Sequence, residues 1–204
     1  MTNNSLQIID NFLDQDEFAQ MTKILLGAKF PWFYGEYVSL DPKDADTIKD
    51  PLARETSGFH HVVFDREYSA KSFSYDYLIP LFEKIETVFG YTKDHMIRAR
   101  LGLKFQKPGF TSENYNLPHV DYYYPHDTLL FYLHDTDGDT RIFDQWHTYN
   151  SAAIMDLPST FTTQSRVSPK ANRLVLINGL QFHTASNPIT YDKRALININ
   201  YTPK

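Results

Sequence analysis

The chain has 204 residues and a formal charge of −5, enough length for one domain with a substantial core. That charge argues against strong non-specific nucleic-acid binding, which needs a basic surface, and no apolar run is long enough for a membrane span. The absence of Cys excludes disulfides and thiolate ligands; with no charged-then-apolar leader, the expectation is a cytoplasmic protein.

Asp14 is placed to cap a first helix, with Glu17 three residues on. Phe18, Met21, Ile24 and Leu25 then form one apolar stripe that stops before Gly27. Residues 31–54 are rich in turn formers and charge, which predicts a lid or substrate-side insertion carrying Trp32, Phe33, Tyr34 and Tyr37. His60 and His61 either border a substrate mouth or sit on a strand. A second helix is predicted over 74–89, with Leu78, Leu81, Phe82, Ile85 and Val88 on its apolar face, Pro80 in its first turns and Gly90 at its end.

From Ile97 the period changes to two. Strands are predicted at 98–105, 117–124, 129–133, 140–143, 152–155, 160–163, 174–177 and 194–201. Helices followed by many short strands read as an α+β fold with a jelly-roll core. The expected organisation is a single domain, 1–204, with helical support over 1–95 and the strand-built core over 96–204. Arg98, Arg100, Lys104 and Lys107 are a candidate local basic patch.

Four residues of the second half carry the chemistry. On a strand at 117–124, His119 and Asp121 would share one face about 7 Å apart, with Val120 on the other. His183 follows the apolar 174–177 run and the turn-like Asn178-Gly179, so a distant strand or its loop can bring it in. Two imidazoles and one carboxylate make the facial triad of non-haem Fe(II) oxygenases, which leaves coordination positions open; zinc hydrolases use the same donors. Arg194 opens a strand in which Ile197 and Ile199 alternate with Asn198 and Asn200. A buried Arg there suits a dicarboxylate cosubstrate, for which a hydrolase has no need. Taken singly, a His-x-Asp pair is more often a surface feature, a lone His a satisfied polar residue and a strand Tyr ordinary core. His126 and His134 read as loop residues rather than ligands.

In His119-Val120-Asp121, in Phe131-Tyr132-Leu133-His134-Asp135-Thr136-Asp137-Gly138-Asp139-Thr140-Arg141-Ile142-Phe143, in 173–186 with its His183, and in Arg194, the chain resembles the 2-oxoglutarate- and Fe(II)-dependent dioxygenase superfamily. The likeness is to its prolyl 4-hydroxylase-like branch, and Asp137 to Thr140 are similar to oxygenases encoded by marine phages. The opening Ile8-Ile9-Asp10-Asn11-Phe12-Leu13 is similar to the start of such domains.

The resemblance implies a double-stranded β-helix with N-terminal helices packed on one sheet. It implies Fe(II) on His119, Asp121 and His183, and 2-oxoglutarate chelating that iron with its C5 carboxylate on Arg194 and the Tyr132 hydroxyl. O2 would be the second cosubstrate and ascorbate an accessory reductant. Hydroxylation of a C–H bond would release succinate and CO2; the carboxylate ligand Asp121 favours hydroxylation over halogenation. Two residues depart from the pattern: Leu196 stands where many relatives carry Ser or Thr, and Gln106 where prolyl hydroxylases often have Tyr. The implied partner is a peptide, with proline leading, bordered by 31–54, 106–118 and 145–148. A free amino acid, other small metabolite or nucleobase, or a catalytically silent binding module, are the alternatives.

Overall fold

The computed structural model describes residues 6–36, 38, 57–148 and 158–204. The expected strand at 152–155 and most of the 31–54 insertion, Tyr37 included, lie outside the described residues.

Among the described residues, eleven strands and two α-helices follow in chain order: β1 (Gln7–Ile9), α1 (Gln15–Leu25), β2 (Phe33–Gly35), β3 (Gly58–Asp65), β4 (Ala70–Lys71), α2 (Ile79–Phe89), β5 (Met96–Phe105), β6 (Asp127–Tyr132), β7 (Thr140–Trp146), β8 (Thr163–Val167), β9 (Arg173–Asn178), β10 (Gln181–Ala185) and β11 (Lys193–Tyr201). The larger sheet runs β1-β9-β6-β11-β5-β3-β2 with β4 on β3, and the smaller runs β10-β7-β8. Ile142 and Val167 of the smaller sheet cluster with Leu130, Val175 and Leu196 of the larger, so the two antiparallel sheets face each other in a jelly-roll-like sandwich.

Period two along β11 divides the molecule. Ala195, Ile197, Ile199 and Tyr201 join one apolar core with Phe18, Met21 and Leu25 of α1 and Leu81, Phe82 and Ile85 of α2. The Phe18 ring meets Phe131 of β6 edge-on at 5.9 Å. The intervening residues Arg194, Leu196 and Asn198 look instead into the space between the sheets, where they line a cavity. The neighbouring strands are sorted in the same way: Ala99, Leu101 and Leu103 of β5 belong to the helix-side core, whereas Arg100, Gly102 and Lys104 line the cavity.

The helices begin and end on local chemistry. Asp14 caps α1 by accepting from the Asp16 N–H at 2.9 Å. Ile24 is 39% exposed, because it lies to one side of the line through Phe18, Met21 and Leu25. The second predicted helix divides: Phe73–Leu78 is a 3₁₀ segment capped by Ser72, and α2 starts at Ile79 with Pro80 in its first turn. Gly90 ends it at φ 67°, a left-handed geometry that suits glycine. Val88 is half exposed, and the neighbouring Phe89 takes the core contact by stacking on Phe12.

Residues 6–95 supply strands as well as helices, since β3 pairs with β5 along most of its length. Gly58–Asp65 is rich in aromatic and β-branched residues, and the open edge of β5 satisfies its backbone. Two expected strands move. Around 117–124 the ladder shrinks to one bridge, His119 to His183, because Pro118 has no N–H to continue it and Pro125 lies just beyond. The strand expected at 160–163 is Thr163–Val167, its bounds set by pairing with β7. Among the described residues no helix is long and apolar enough to cross a membrane.

Candidate metal centre

His119 and His183 are brought together by backbone pairing. Each donates its amide to the other's carbonyl, at 2.9 and 3.0 Å, and the two rings stand 5.0 Å apart. Each Nδ1 lies 3.0 Å from a backbone oxygen two residues earlier, that of Leu117 for His119 and that of Gln181 for His183. A carbonyl can only accept, so Nδ1 carries the proton in both rings and Nε2 is left with a free lone pair. The His183 Nε2 lies 3.8 Å from Asp121 Oδ2, and one ligand atom from each of His119, Asp121 and His183 falls within 4.8 Å of the others. Val120 turns the other way and packs with Phe143 and Phe182, so the alternation expected of a strand survives with a single bridge.

Asp121 is held by side chains that the sequence reading did not assign to the site. Its Oδ2 accepts from Asn200 at 2.8 Å, from Asn198 at 3.1 Å and from Thr128 at 3.1 Å, and its Oδ1 faces Arg98 at 3.5 Å. Burial alone would raise its pKa, but the neighbouring His183 and Arg98 hold it well below the usual carboxylate range. Burial, with His183 close by, pushes His119 down to about 4. An ionised carboxylate and a neutral imidazole are the forms a divalent metal needs. The alternation of Asn198 and Asn200 with isoleucines was the available signal: polar residues repeating on a strand buried on both faces need partners there.

Arg194 is 4% exposed. Its Nε donates to the Gly138 carbonyl at 2.7 Å and one terminal nitrogen to Thr140 Oγ1 at 2.8 Å. Gly138 sits at φ 90°, and a Cβ there would press on Ser186 O at 2.9 Å, so the turn that aims this carbonyl requires glycine. Tyr132 is fully buried; its hydroxyl lies 2.6 Å from the same Thr140 Oγ1, and its ring lies under the Arg194 guanidinium at 5.6 Å. Of these two residues, Arg194 is the one among the cavity's lining residues.

The cavity encloses about 70 Å³ and is shared by His119, His183, Thr140, Arg194, Leu196 and Asn198. Since one water needs roughly 10–15 Å³, there is room for a small ligand. Arg100 and Lys104 line it too, so the suspected basic patch is largely internal; Lys107 lies over the Phe110 ring. Gln106 is committed elsewhere, donating to the Ile189 carbonyl. His134 accepts the Ala195 amide and His61 bonds Pro31, Ser72 and Ser74, so neither joins the three ligands. His126, directed at the Tyr124 carbonyl, lies just before β6 and does not join them either.

No protein-family model and no curated protein sequence matches the chain. Solved structures do. The epimerase SnoN, in complex with Fe3+, alpha ketoglutarate and nogalamycin RO, is similar with a TM-score of 0.60 at 14% identity, over 97% of this chain and 78% of that one. A 2OG-Fe(II) oxygenase family oxidoreductase from Burkholderia pseudomallei gives 0.60 at 10% identity, over 98% and 86%. A Trichoplax adhaerens prolyl hydroxylase in complex with a hypoxia inducible factor peptide gives 0.57 at 15%, over 98% and 84%. By architecture, therefore, this chain has the fold of the 2-oxoglutarate- and Fe(II)-dependent oxygenases.

Proposed function

We propose that the protein is a 2-oxoglutarate- and Fe(II)-dependent dioxygenase that hydroxylates a C–H bond. The observation that carries this reading is the convergence of the His119, Asp121 and His183 ligand atoms within 4.8 Å of one another, beside the cavity that His119, His183 and Arg194 line. The donor set suits Fe(II): two imidazoles with Nε2 free, and one carboxylate whose orientation is fixed by two amides. Bound iron and 2-oxoglutarate would supply the oxidising chemistry, consuming O2 and releasing succinate and CO2. The protein's part is position and dryness. His119, Asp121 and His183 would hold the ion, and Arg194, which lines the same cavity as the two histidines, would take the distal carboxylate of the cosubstrate. Thr140 links Arg194 to Tyr132, so the Tyr132 hydroxyl acts on that carboxylate either directly or by fixing the guanidinium through Thr140.

The substrate we favour is a peptidyl residue such as proline, in keeping with the prolyl 4-hydroxylase-like motifs and with the peptide complex of the Trichoplax neighbour. A small molecule is the second reading, supported by the confined cavity and by the nogalamycin RO complex of SnoN. Protein supplied with Fe(II), ascorbate, O2 and 2-oxoglutarate should form succinate, and a peptide library or metabolite pool should contain a species heavier by one oxygen. Arg194→Ala should raise the cosubstrate requirement about 10-fold to 100-fold, the worth of a charge-assisted contact, with metal binding retained. No succinate from any pool would sink the enzyme reading. An oxygen gained only in the metabolite pool would replace the peptide by the small molecule.

A further inference from the structure

Arg194 is not the only cation at its end of the cavity. Lys104 of β5 is its direct partner across the β11 ladder, is 8% exposed and lines the same cavity. Its Nζ is buried with no hydrogen-bond partner. Like charges directly opposite on a sheet destabilise it, and a buried unpaired ammonium costs more still. Arg194, Lys107 and Arg100 all bear on Lys104, and burial together with these cations pushes its pKa down to about 7. Among the described residues no carboxylate lines this cavity, so none of those lining residues offsets the charge. Beside Lys104 the floor is open: a Cβ on Gly102 would meet no atom within 4 Å. Arg194 itself has spent Nε and one terminal nitrogen on Gly138 and Thr140, so it does not present a full fork to a ligand.

We propose that Lys104 is a second anchor for the distal carboxylate of the cosubstrate, gripping it from β5 while Arg194 grips it from β11. This rests on the 2-oxoglutarate reading above. A carboxylate between the two has lone pairs for both cations, relieves their repulsion and satisfies the free ammonium. The two-sided grip makes the site selective for keto diacids over keto monoacids beyond what one guanidinium achieves.

The test uses the Ni(II)-loaded protein and calorimetric titration with two keto acids: 2-oxoglutarate, and 2-oxopentanoate, which chelates identically but ends in a methyl group. Lys104→Met should weaken 2-oxoglutarate about 10-fold to 100-fold and leave 2-oxopentanoate within about twofold of the wild type, which also shows that the variant is folded and loaded. The ligand-free variant should melt a few degrees higher than the wild type, because an unpaired buried charge has been removed; a merely structural lysine would lower the melting point. Equal weakening of both keto acids, or none of either, overturns the role of Lys104. Wild type that binds 2-oxopentanoate and 2-oxoglutarate equally overturns the distal grip as a whole, Arg194 included, and wild type that binds neither overturns the cosubstrate reading itself.

Discussion

The two faces of the larger sheet are built from the same strands and differ in almost everything else. On the helix side, Ile197, Ile199, Leu101 and Phe131 are fully buried among apolar neighbours. On the cavity side, alternate positions of β11 and β5 hold Arg194, Asn198, Asn200, Arg98, Arg100 and Lys104. Buried polar atoms with no partner occur on this second side, at Arg98 Nε, Lys104 Nζ and Asn198 Oδ1. A fold gains nothing from such atoms by themselves, since each costs about 1–3 kcal/mol if left unmade. The helix side carries the stability that lets the cavity side keep a costly, ligand-ready arrangement.

That contrast can be broken from either side. His119→Ala removes a proposed metal ligand and should abolish 2-oxoglutarate turnover, a loss of at least about 1000-fold, with the unfolding midpoint little changed; succinate assays alongside thermal melts read both. Ile197→Ala, one residue from Asn198 but on the opposite face, should cost about 2–5 kcal/mol in chemical denaturation with metal affinity preserved while the protein remains folded. If Ile197→Ala lowers metal affinity as much as stability, the two faces are not separable. Asn200→Ala takes the shortest hydrogen bond from Asp121 and should weaken metal binding by about 10-fold to 100-fold, measured by competition with a chelating dye.

The smallest expected effect lies at the sheet's edge, away from both faces. Arg173 bonds Asp10 through two nitrogens, at 2.6 and 3.0 Å, and holds the Asp10 pKa at about 2. A depressed folded-state pKa stabilises above the ordinary value of 3.8 and loses that contribution as pH falls toward 2. The Asp10 side chain is 35% exposed, so solvent screening reduces the effect to about 1 kcal/mol. Asp10→Asn should cost that much at neutral pH and nothing near pH 2; a cost unchanged across that range would show that packing, rather than charge, is lost.

Much of this was legible in the residues. Asp14, Pro80 and Gly90 mark helix ends because capping is local chemistry, and Ile197 with Ile199 marks a strand because side chains alternate over two residues. The candidate metal site was legible as a set, since few other roles call for two histidines, a carboxylate and an arginine in that order. Only the tertiary structure decided why His119 and His183 meet: one antiparallel bridge, not the long strand that Val120 and the neighbouring tyrosines suggest. Nor could sequence spacing reveal that Asn198, Asn200 and Thr128 converge on Asp121, or that Lys104 stands opposite Arg194. Those encounters depend on strand register, which is set by pairing between segments up to a hundred residues apart and leaves no trace in local periodicity.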